Sequence, residues 1–181
     1  MRTENGCDFY LTDTFWGELL APVIKNLLWK AEHDWDDYDE AAHCCRLVER
    51  VRQKPEMQMD FHYIKKDGVH VGLAAVTYGE IDKQLFFPLD IDLPDALNKI
   101  IMFNSFHVSA EGRGNGEHWM RDIIIPHYAA QGFWALYVKS SHPKVFSLYG
   151  RLGEVVGTYT SKSDNGLFER EGRIFRVPLM K

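Results

Sequence analysis

The sequence predicts an α/β protein, or α+β in some schemes, with one mixed, mostly antiparallel central sheet of about seven strands and about four flanking helices. Segments with apolar residues at helical spacing are interspersed with short apolar runs rich in β-branched and aromatic residues. Two connections between strand-like runs carry hairpin signals, Asp67-Gly68 and Asn165-Gly166. The 181 residues fit a single domain over residues 1–181.

The individual elements follow from these patterns. Apolar spacing predicts a helix over residues 15–30, in which Pro22 either kinks the helix or restarts it. The other predicted elements, in order, are a strand at residues 9–11, a helix at 39–52, strands at 56–65, 69–78 and 100–108, a helix after Gly116, a strand at 133–138, a helix from Pro143 to Gly153, and strands at 155–161 and 173–179.

Composition and charge exclude several classes of protein. A formal net charge of −5 argues against binding nucleic acid through a basic surface. No apolar run approaches the roughly 20 residues that span a bilayer, so no membrane association is predicted. Three cysteines do not make a disulfide framework, and a cytoplasmic setting is expected. His43, Cys44 and Cys45 point in different directions on a helix, so no metal site is predicted.

A glycine-rich turn connects the strand at residues 100–108 to the following helix. Gly112, Gly114 and Gly116 stand at alternate positions, where backbone N–H groups can converge without Cβ atoms in the way. The helix start behind them adds the positive end of a dipole, which suits an anion such as a phosphate. Turns use glycine for conformation more often than for ligands, so this turn alone does not decide the matter.

The residues of the turn resemble a family motif. Arg113 and Gly116 match the acyl-CoA-binding motif of the GNAT superfamily of N-acetyltransferases, in which Arg or Gln is followed by two residues, Gly, one residue, and Gly or Ala. His118 stands at the final small position and departs from the pattern.

A second segment resembles the same family. Leu148, Tyr149, Leu152 and Gly153 are similar to a later motif that closes a helix beside the cofactor. Glu154 stands where the family usually has Phe, and His142 stands where it has Asn.

The resemblance implies the acyl-CoA N-acyltransferase fold and transfer of an acetyl group from acetyl-CoA, as co-substrate, to a primary amine of a small cationic molecule or a protein. It leaves the oligomeric state open, with a homodimer as one expectation. The implied cofactor-binding residues are Phe106, His107, Val108, Arg113, Gly114, Asn115, Gly116, Glu117, His118, His142 and Tyr149.

The resemblance also implies catalytic roles. Tyr149 matches the tyrosine that protonates or hydrogen-bonds the departing thiolate. The strand position where some members have a glutamate base is Met102. His107 is the nearest titratable side chain on that strand and is a candidate base. A water chain to Asp60, His62 or the acidic loops is equally compatible.

The acceptor is expected to contact the connection between the first two helices. Asp36 and Asp37 stand between Trp35 and Tyr38, so the segment can attract a cationic amine and offer it an aromatic face. A solvated acidic helix start explains the same residues.

Two other functions fit the sequence. A catalytically degenerate acyl-CoA-binding module with a regulatory or interaction role is compatible with His118, Glu154 and Met102. An unrelated α/β domain is compatible with the glycine turn alone.

Overall fold

The computed structural model describes residues 2–4, 6–87 and 91–179. The strands are β1 (Arg2–Glu4), β2 (Cys7–Thr12), β3 (Met57–Lys66), β4 (Val69–Gly79), β5 (Ile100–Val108), β6 (Ala135–Ser140), β7 (Glu154–Lys162) and β8 (Glu169–Pro178). The helices are α1 (Ala21–His33), α2 (Glu40–Arg52), α3 (Lys83–Phe86), α4 (beginning with Gly116–His118 and ending with Ile125–Ala129) and α5 (Phe146–Leu152).

The strands form one sheet in the order β1-β2-β3-β4-β5-β6-β8-β7. All neighbouring strands pair antiparallel except β5 and β6, which are parallel. The predicted fold class is confirmed, with the three-residue β1 as an additional strand that no pattern predicted. Asp67 and Gly68 both have positive φ, 51° and 78°, as a tight hairpin turn with the twist of the strands requires.

The starts of the first two helices have local causes. A 3-10 turn at Gly17–Leu20 precedes α1, and Pro22 lies in the first turn, so the proline restarts the helix. Helix α2 begins after Asp39, whose carboxylate accepts a hydrogen bond from the Ala42 N–H at 2.9 Å.

Helices cover both faces of the sheet, because successive residues of a strand point to opposite sides. On β4, Leu73 and Ala75 pack against α1 and α2, in a cluster with Leu19, Val23, Val48 and Phe61. Ala74 and Val76 point to the other face, where α4 and α5 contribute Trp119, Met120, Ile124, Tyr128 and Tyr149. The sheet therefore separates two hydrophobic cores, and a ligand bound between two strands can contact residues on both faces of the sheet.

Helix α4 contains a π-helical segment, Trp119–Ile124, before its last α-helical turns. The wider segment precedes Pro126, whose ring does not fit against the carbonyl four residues earlier in a regular α-helix. The helix thus continues past the proline, and its residues Trp119 and Tyr128 are fully buried against the sheet.

Candidate functional site

Strands β5 and β6 separate and open a cleft in the middle of the sheet. Their parallel pairing runs from Ile100↔Ala135 to Phe103↔Val138, and both strands continue beyond it. A bulge at Asn104, between the pairs Val76↔Phe103 and Ala75↔Ser105, bends β5 at this point. The Asn104 amide stabilises the bulge by donating to Thr77 Oγ1 at 2.8 Å and to the Met102 carbonyl at 3.1 Å. The cleft has a volume of about 440 Å³.

The glycine-rich turn lies directly after β5. The Ser109 N–H donates to the Val71 carbonyl at 2.8 Å and holds the turn against β4. A Cβ on Gly112 would lie 3.0 Å from Val108 and 3.1 Å from Val71, so a side chain there would force these neighbours to shift. Gly114 has φ +95°, a conformation that favours glycine. Both glycines are therefore required by the backbone of the turn itself.

The start of α4 presents amide donors. The first backbone bond across the helix start runs from the Trp119 N–H to the Asn115 carbonyl at 2.8 Å. The N–H groups of Gly116, Glu117 and His118 precede it and have no helical carbonyl to bind. The Asn115 side chain is buried and donates to the Gly112 carbonyl at 3.0 Å, so it does not cap these donors. This end of α4 can therefore accept an anion.

The side chain of His118 points away from the cleft. Its Nδ1 lies 2.7 Å from the Asp122 carboxylate, and its ring meets the ring of Phe9 edge to face at 6.1 Å. The departure from the family motif at this position therefore adds no side chain to the lining of the cleft.

Glu117 is neutralised by two guanidinium groups. Its carboxylate lies 2.6 Å from Arg151 of α5 and 2.9 Å from Arg121 of α4. The hydrogen bond from Arg151 lowers the pKa of this carboxyl. The ion pair joins the beginning of α4 to the end of α5 on one face of the sheet. Arg113 is exposed in the turn between Gly112 and Gly114.

Tyr149 is buried on the cleft wall formed by α5. Its side chain is 4% exposed and packs against Phe175, with 5.5 Å between the ring centroids. Burial raises the pKa of Tyr149 above that of a free phenol, and the Glu40 carboxylate and Tyr38 raise it further. The hydroxyl is therefore protonated at neutral pH and can donate a hydrogen bond into the cleft.

His107 lines the opposite wall of the cleft together with Glu40. Its Nδ1 lies 3.3 Å from Glu40 Oε2, and its Nε2 is buried with no hydrogen-bond partner among the described residues. Sequence reasoning missed Glu40, because nothing local in the acidic segment distinguishes it from its neighbours. A carboxylate against one ring nitrogen fixes the orientation of the imidazole and leaves the other nitrogen to act as a general base.

The other predicted residues of the cofactor site lie along the same gap. Phe106 lines the cleft and packs on Phe103 and Trp119, whereas Val108 lies beside Gly112 and Gly116. His142 is exposed at the end of β6, where its backbone N–H binds Ser140 Oγ at 3.1 Å.

The structure separates the four residues predicted to bind the acceptor. Tyr38 lines the cleft and stacks on His43 at 4.8 Å. Trp35 is 66% exposed. Asp36 lies 2.5 Å from Lys30, and Asp37 forms an ion pair with Arg170. Neither carboxylate lines the cleft, so both act within the protein as ion-pair partners.

Met102 and the residues considered for a water chain lie outside the cleft. Met102 is 2% exposed in the core below β5 and supplies no base. Asp60 and His62 are buried under α4, where Tyr128 bonds to both, at 2.9 Å and 3.0 Å. They are therefore separate from the cleft-lining residues.

Neither metal ligation nor a membrane span emerges from the described part of the chain. Within it, no group of three or more His, Cys, Asp or Glu side chains is arranged to hold a metal ion. Likewise, no helix among these residues is long and apolar enough to cross a membrane.

Known structures resemble the whole chain, although no protein-family model and no curated protein matches its sequence. A putative acetyltransferase of the GNAT family from Desulfovibrio desulfuricans has a TM-score of 0.60 at 11% identity, covering 96% of this chain and 99% of that chain. A putative phosphinothricin N-acetyltransferase has a TM-score of 0.59 at 15% identity, covering 96% and 100%. A putative acetyltransferase from Salmonella typhimurium, solved with its cofactor acetyl-CoA, has a TM-score of 0.56 at 13% identity, covering 98% and 96%. The chain has the GNAT, or acyl-CoA N-acyltransferase, fold.

Proposed function

We propose that this protein is an acetyl-CoA-dependent N-acetyltransferase that transfers the acetyl group directly to a primary amine. The observation that carries the proposal is the cleft between β5 and β6, which Tyr149 lines from one side and His107 with Glu40 from the other. A cytoplasmic location and a homodimer remain predictions from the sequence.

The residues around the gap fit acetyl-CoA. Beyond Phe103, the edge of β5 no longer pairs with β6, so backbone groups of residues 104–108 can bond an extended pantetheine arm. The amides of Gly116, Glu117 and His118 would bind the pyrophosphate at the start of α4, with Arg113 exposed beside them. Gly112 and Asn115 hold the turn in the shape that presents these amides. His142, at the end of β6, would contact the arm from the opposite side of the gap.

The acceptor amine must lose a proton before it attacks. A lysine-like amine has a pKa of about 10.4, so deprotonation at pH 7 costs about 4.6 kcal/mol. His107 takes this proton at Nε2, while Glu40 holds Nδ1 and stabilises the resulting imidazolium. The new C–N bond forms as the C–S bond breaks.

Tyr149 acts on the departing sulfur. Its hydroxyl donates a hydrogen bond to the developing CoA thiolate, and CoA leaves as the thiol after this sulfur receives a proton. A phenol with a raised pKa is a weak acid, so most of its contribution is electrostatic stabilisation of the sulfur.

Tyr149→Phe tests the proposal because it removes only the hydroxyl. Thiol release across a panel of primary amines should fall on the order of 100-fold, while calorimetry with acetyl-CoA gives an unchanged affinity. Tyr78→Phe is the matched control, since its hydroxyl bonds Asp60 at 3.2 Å outside the cleft.

Two results would contradict the proposal in different ways. No acetyl-CoA binding at millimolar concentration would remove every CoA-dependent function. Binding without thiol release from any amine would leave the catalytically degenerate acyl-CoA-binding module as the function.

A further inference from the structure

The acceptor side of the cleft is more cationic than the chain as a whole. His107 and Glu40 lie on the face of the sheet covered by α1 and α2. Around them, the cleft-lining residues with a full charge are the cations Lys30, Lys139, Lys162 and Arg170 and the acids Glu40 and Asp164. The chain carries a net charge of −5, yet this wall has an excess of positive charge.

Two of the four cations pair with carboxylates, and each of the two acids lies beside a histidine. Lys30 lies 2.5 Å from Asp36, and Arg170 pairs with Asp37. Burial alone would raise the pKa of Asp36, but the hydrogen bonds from Lys30 and the Tyr38 N–H, together with the charges of Lys30 and Arg170, outweigh burial and lower the pKa. Asp164 forms no ion pair with a lysine or arginine of the wall, and its carboxylate lies 2.8 Å from His43 Nε2. Lys139 and Lys162 are therefore the two cations of this wall without a carboxylate partner among the described residues.

Lys139 has the surroundings of an anion-binding lysine. Its ammonium lies 5.0 Å from the centre of the Tyr159 ring, and burial lowers its pKa. Among the described residues, no carboxylate lies within 4.0 Å of Lys139 or Lys162. Arg170 adds a buried Nε without a hydrogen-bond partner in the same part of the structure. A partly buried ammonium without a carboxylate is stabilised by an anionic ligand.

We propose that the acceptor is a primary amine that also carries an anionic oxyacid group, a carboxylate or a phosphate, bound by Lys139 with the help of Lys162 and Arg170. The amine then lies at the other end of the wall, against His107 and Glu40. The inference rests on the proposed function and narrows its acceptor.

The arrangement also disfavours the cationic acceptor expected from the sequence. Asp36 and Asp37, which were expected to attract it, neutralise Lys30 and Arg170 instead. Lysines without a carboxylate partner repel a second ammonium, whereas they attract a carboxylate and also lower the pKa of an amine held nearby. Recognition of the acid group and deprotonation of the amine therefore favour each other.

Binding measurements test the inference without requiring turnover. Calorimetry on the CoA-saturated protein compares four probes of similar length: 4-aminobutyrate, 3-aminopropylphosphonate, the uncharged 4-aminobutanamide and the cationic 1,4-diaminobutane. Glycine and β-alanine, each with its carboxamide, extend the series to shorter chains. We expect at least one anionic probe to bind about tenfold more tightly than its carboxamide, a difference of about 1.4 kcal/mol. The carboxylate and phosphonate arms identify which acid group is preferred.

Matched lysine variants test whether Lys139 causes the preference for anionic probes. Lys139→Met should abolish it, because the variant keeps a chain that can cover Tyr159 but has no charge. Lys65→Met should retain it, because Lys65 lies 5.9 Å from the rings of Tyr10 and Tyr63, away from the cleft. CoA affinity should be the same in both variants.

The outcomes separate this inference from the proposed function. Equal or tighter binding of the carboxamides or the diamine overturns the inference, as does a preference that survives in Lys139→Met. A loss of CoA affinity in Lys139→Met overturns it too, because the lysine would then serve the cofactor. Thiol release without an anionic preference would leave the proposed function standing. An anionic preference without thiol release would support the acceptor site and contradict the catalytic role.

Discussion

Replacing His62 should remove a large part of the acid sensitivity of this fold. The side chain is 3% exposed, and its Nε2 lies 3.0 Å from the Tyr128 hydroxyl. Burial, together with the nearby His127, lowers its pKa to about 3. An unfolded histidine takes up a proton near pH 6.5, whereas the folded protein resists protonation down to pH 3. The stability that arises from the shifted pKa of His62 is therefore fully present above about pH 6.5 and is lost as the pH falls towards 3.

The size of the effect follows from the interval between the two pKa values. At pH 5, the medium is about 1.5 units below the pKa of an unfolded histidine, which corresponds to a loss of about 2 kcal/mol. His62→Gln removes the titration and keeps an amide donor for Tyr128. The advantage of the wild type over this variant should thus shrink by about 2 kcal/mol between pH 8 and pH 5.

Urea unfolding at pH 8, 7, 6 and 5 measures this difference. Asp60, whose pKa is raised by burial, titrates in the opposite sense but is present in both proteins, as are Tyr78 and His127. His33→Gln is the control, because water reaches this exposed ring in the folded protein as well. A wild-type advantage over His62→Gln that stays within about 0.5 kcal/mol from pH 8 to pH 5 would refute the reasoning.

Two further predictions concern the cleft. Gly112→Ala should weaken acetyl-CoA binding in calorimetry and lower Tm, because its Cβ would lie 3.1 Å from the Val71 carbonyl oxygen. Gly150→Ala on α5 is the control. A Cβ there meets nothing within 4 Å, so this variant should instead raise Tm by about 2 °C or more. A Gly112→Ala protein with wild-type affinity would show that the turn does not position the cofactor. Glu40→Gln should lower kcat by at least about tenfold with little change in the KM for acetyl-CoA, because the His107 imidazolium loses its carboxylate; an unchanged kcat would remove Glu40 and His107 from the chemistry.

The sequence predicted those parts of the fold whose causes are local. Asp67-Gly68 adopts the left-handed turn its residues favour, and Asp39 caps α2 through its own side chain. Helix α4 was predicted after Gly116, with Pro126 kinking or ending it. The helix instead continues through a π-helical segment, which has a less local cause, the combination of Pro126 with the burial of Trp119. Strand β8 begins at Glu169, earlier than predicted, because pairing with β7 can order a polar segment that no apolar pattern marks.

The candidate site divides in the same way. The glycine turn and Tyr149 belong to contiguous motifs, so the sequence pointed to them directly. The acids of residues 36–40 read as one negative patch, yet the fold sends Asp36 to Lys30, Asp37 to Arg170 and Glu40 to His107. Arg170 lies more than 130 positions from Asp37, a distance over which periodicity and spacing carry no information.

Net charge is consequently a poor guide to the ligands of this protein. At −5 the whole chain should repel an anionic cofactor and an anionic acceptor alike. Among the fully charged residues that line the cleft, cations outnumber acids, and Lys139 and Lys162 have no carboxylate partner among the described residues. On the other face of the sheet, the amides at the start of α4 present hydrogen-bond donors. Local fields in a low-dielectric cleft outweigh screened surface charge. Under the proposed function, the cofactor's phosphates and the acceptor's acid group would bind on opposite sides of the sheet, and the thioester and the amine would meet at the gap between β5 and β6.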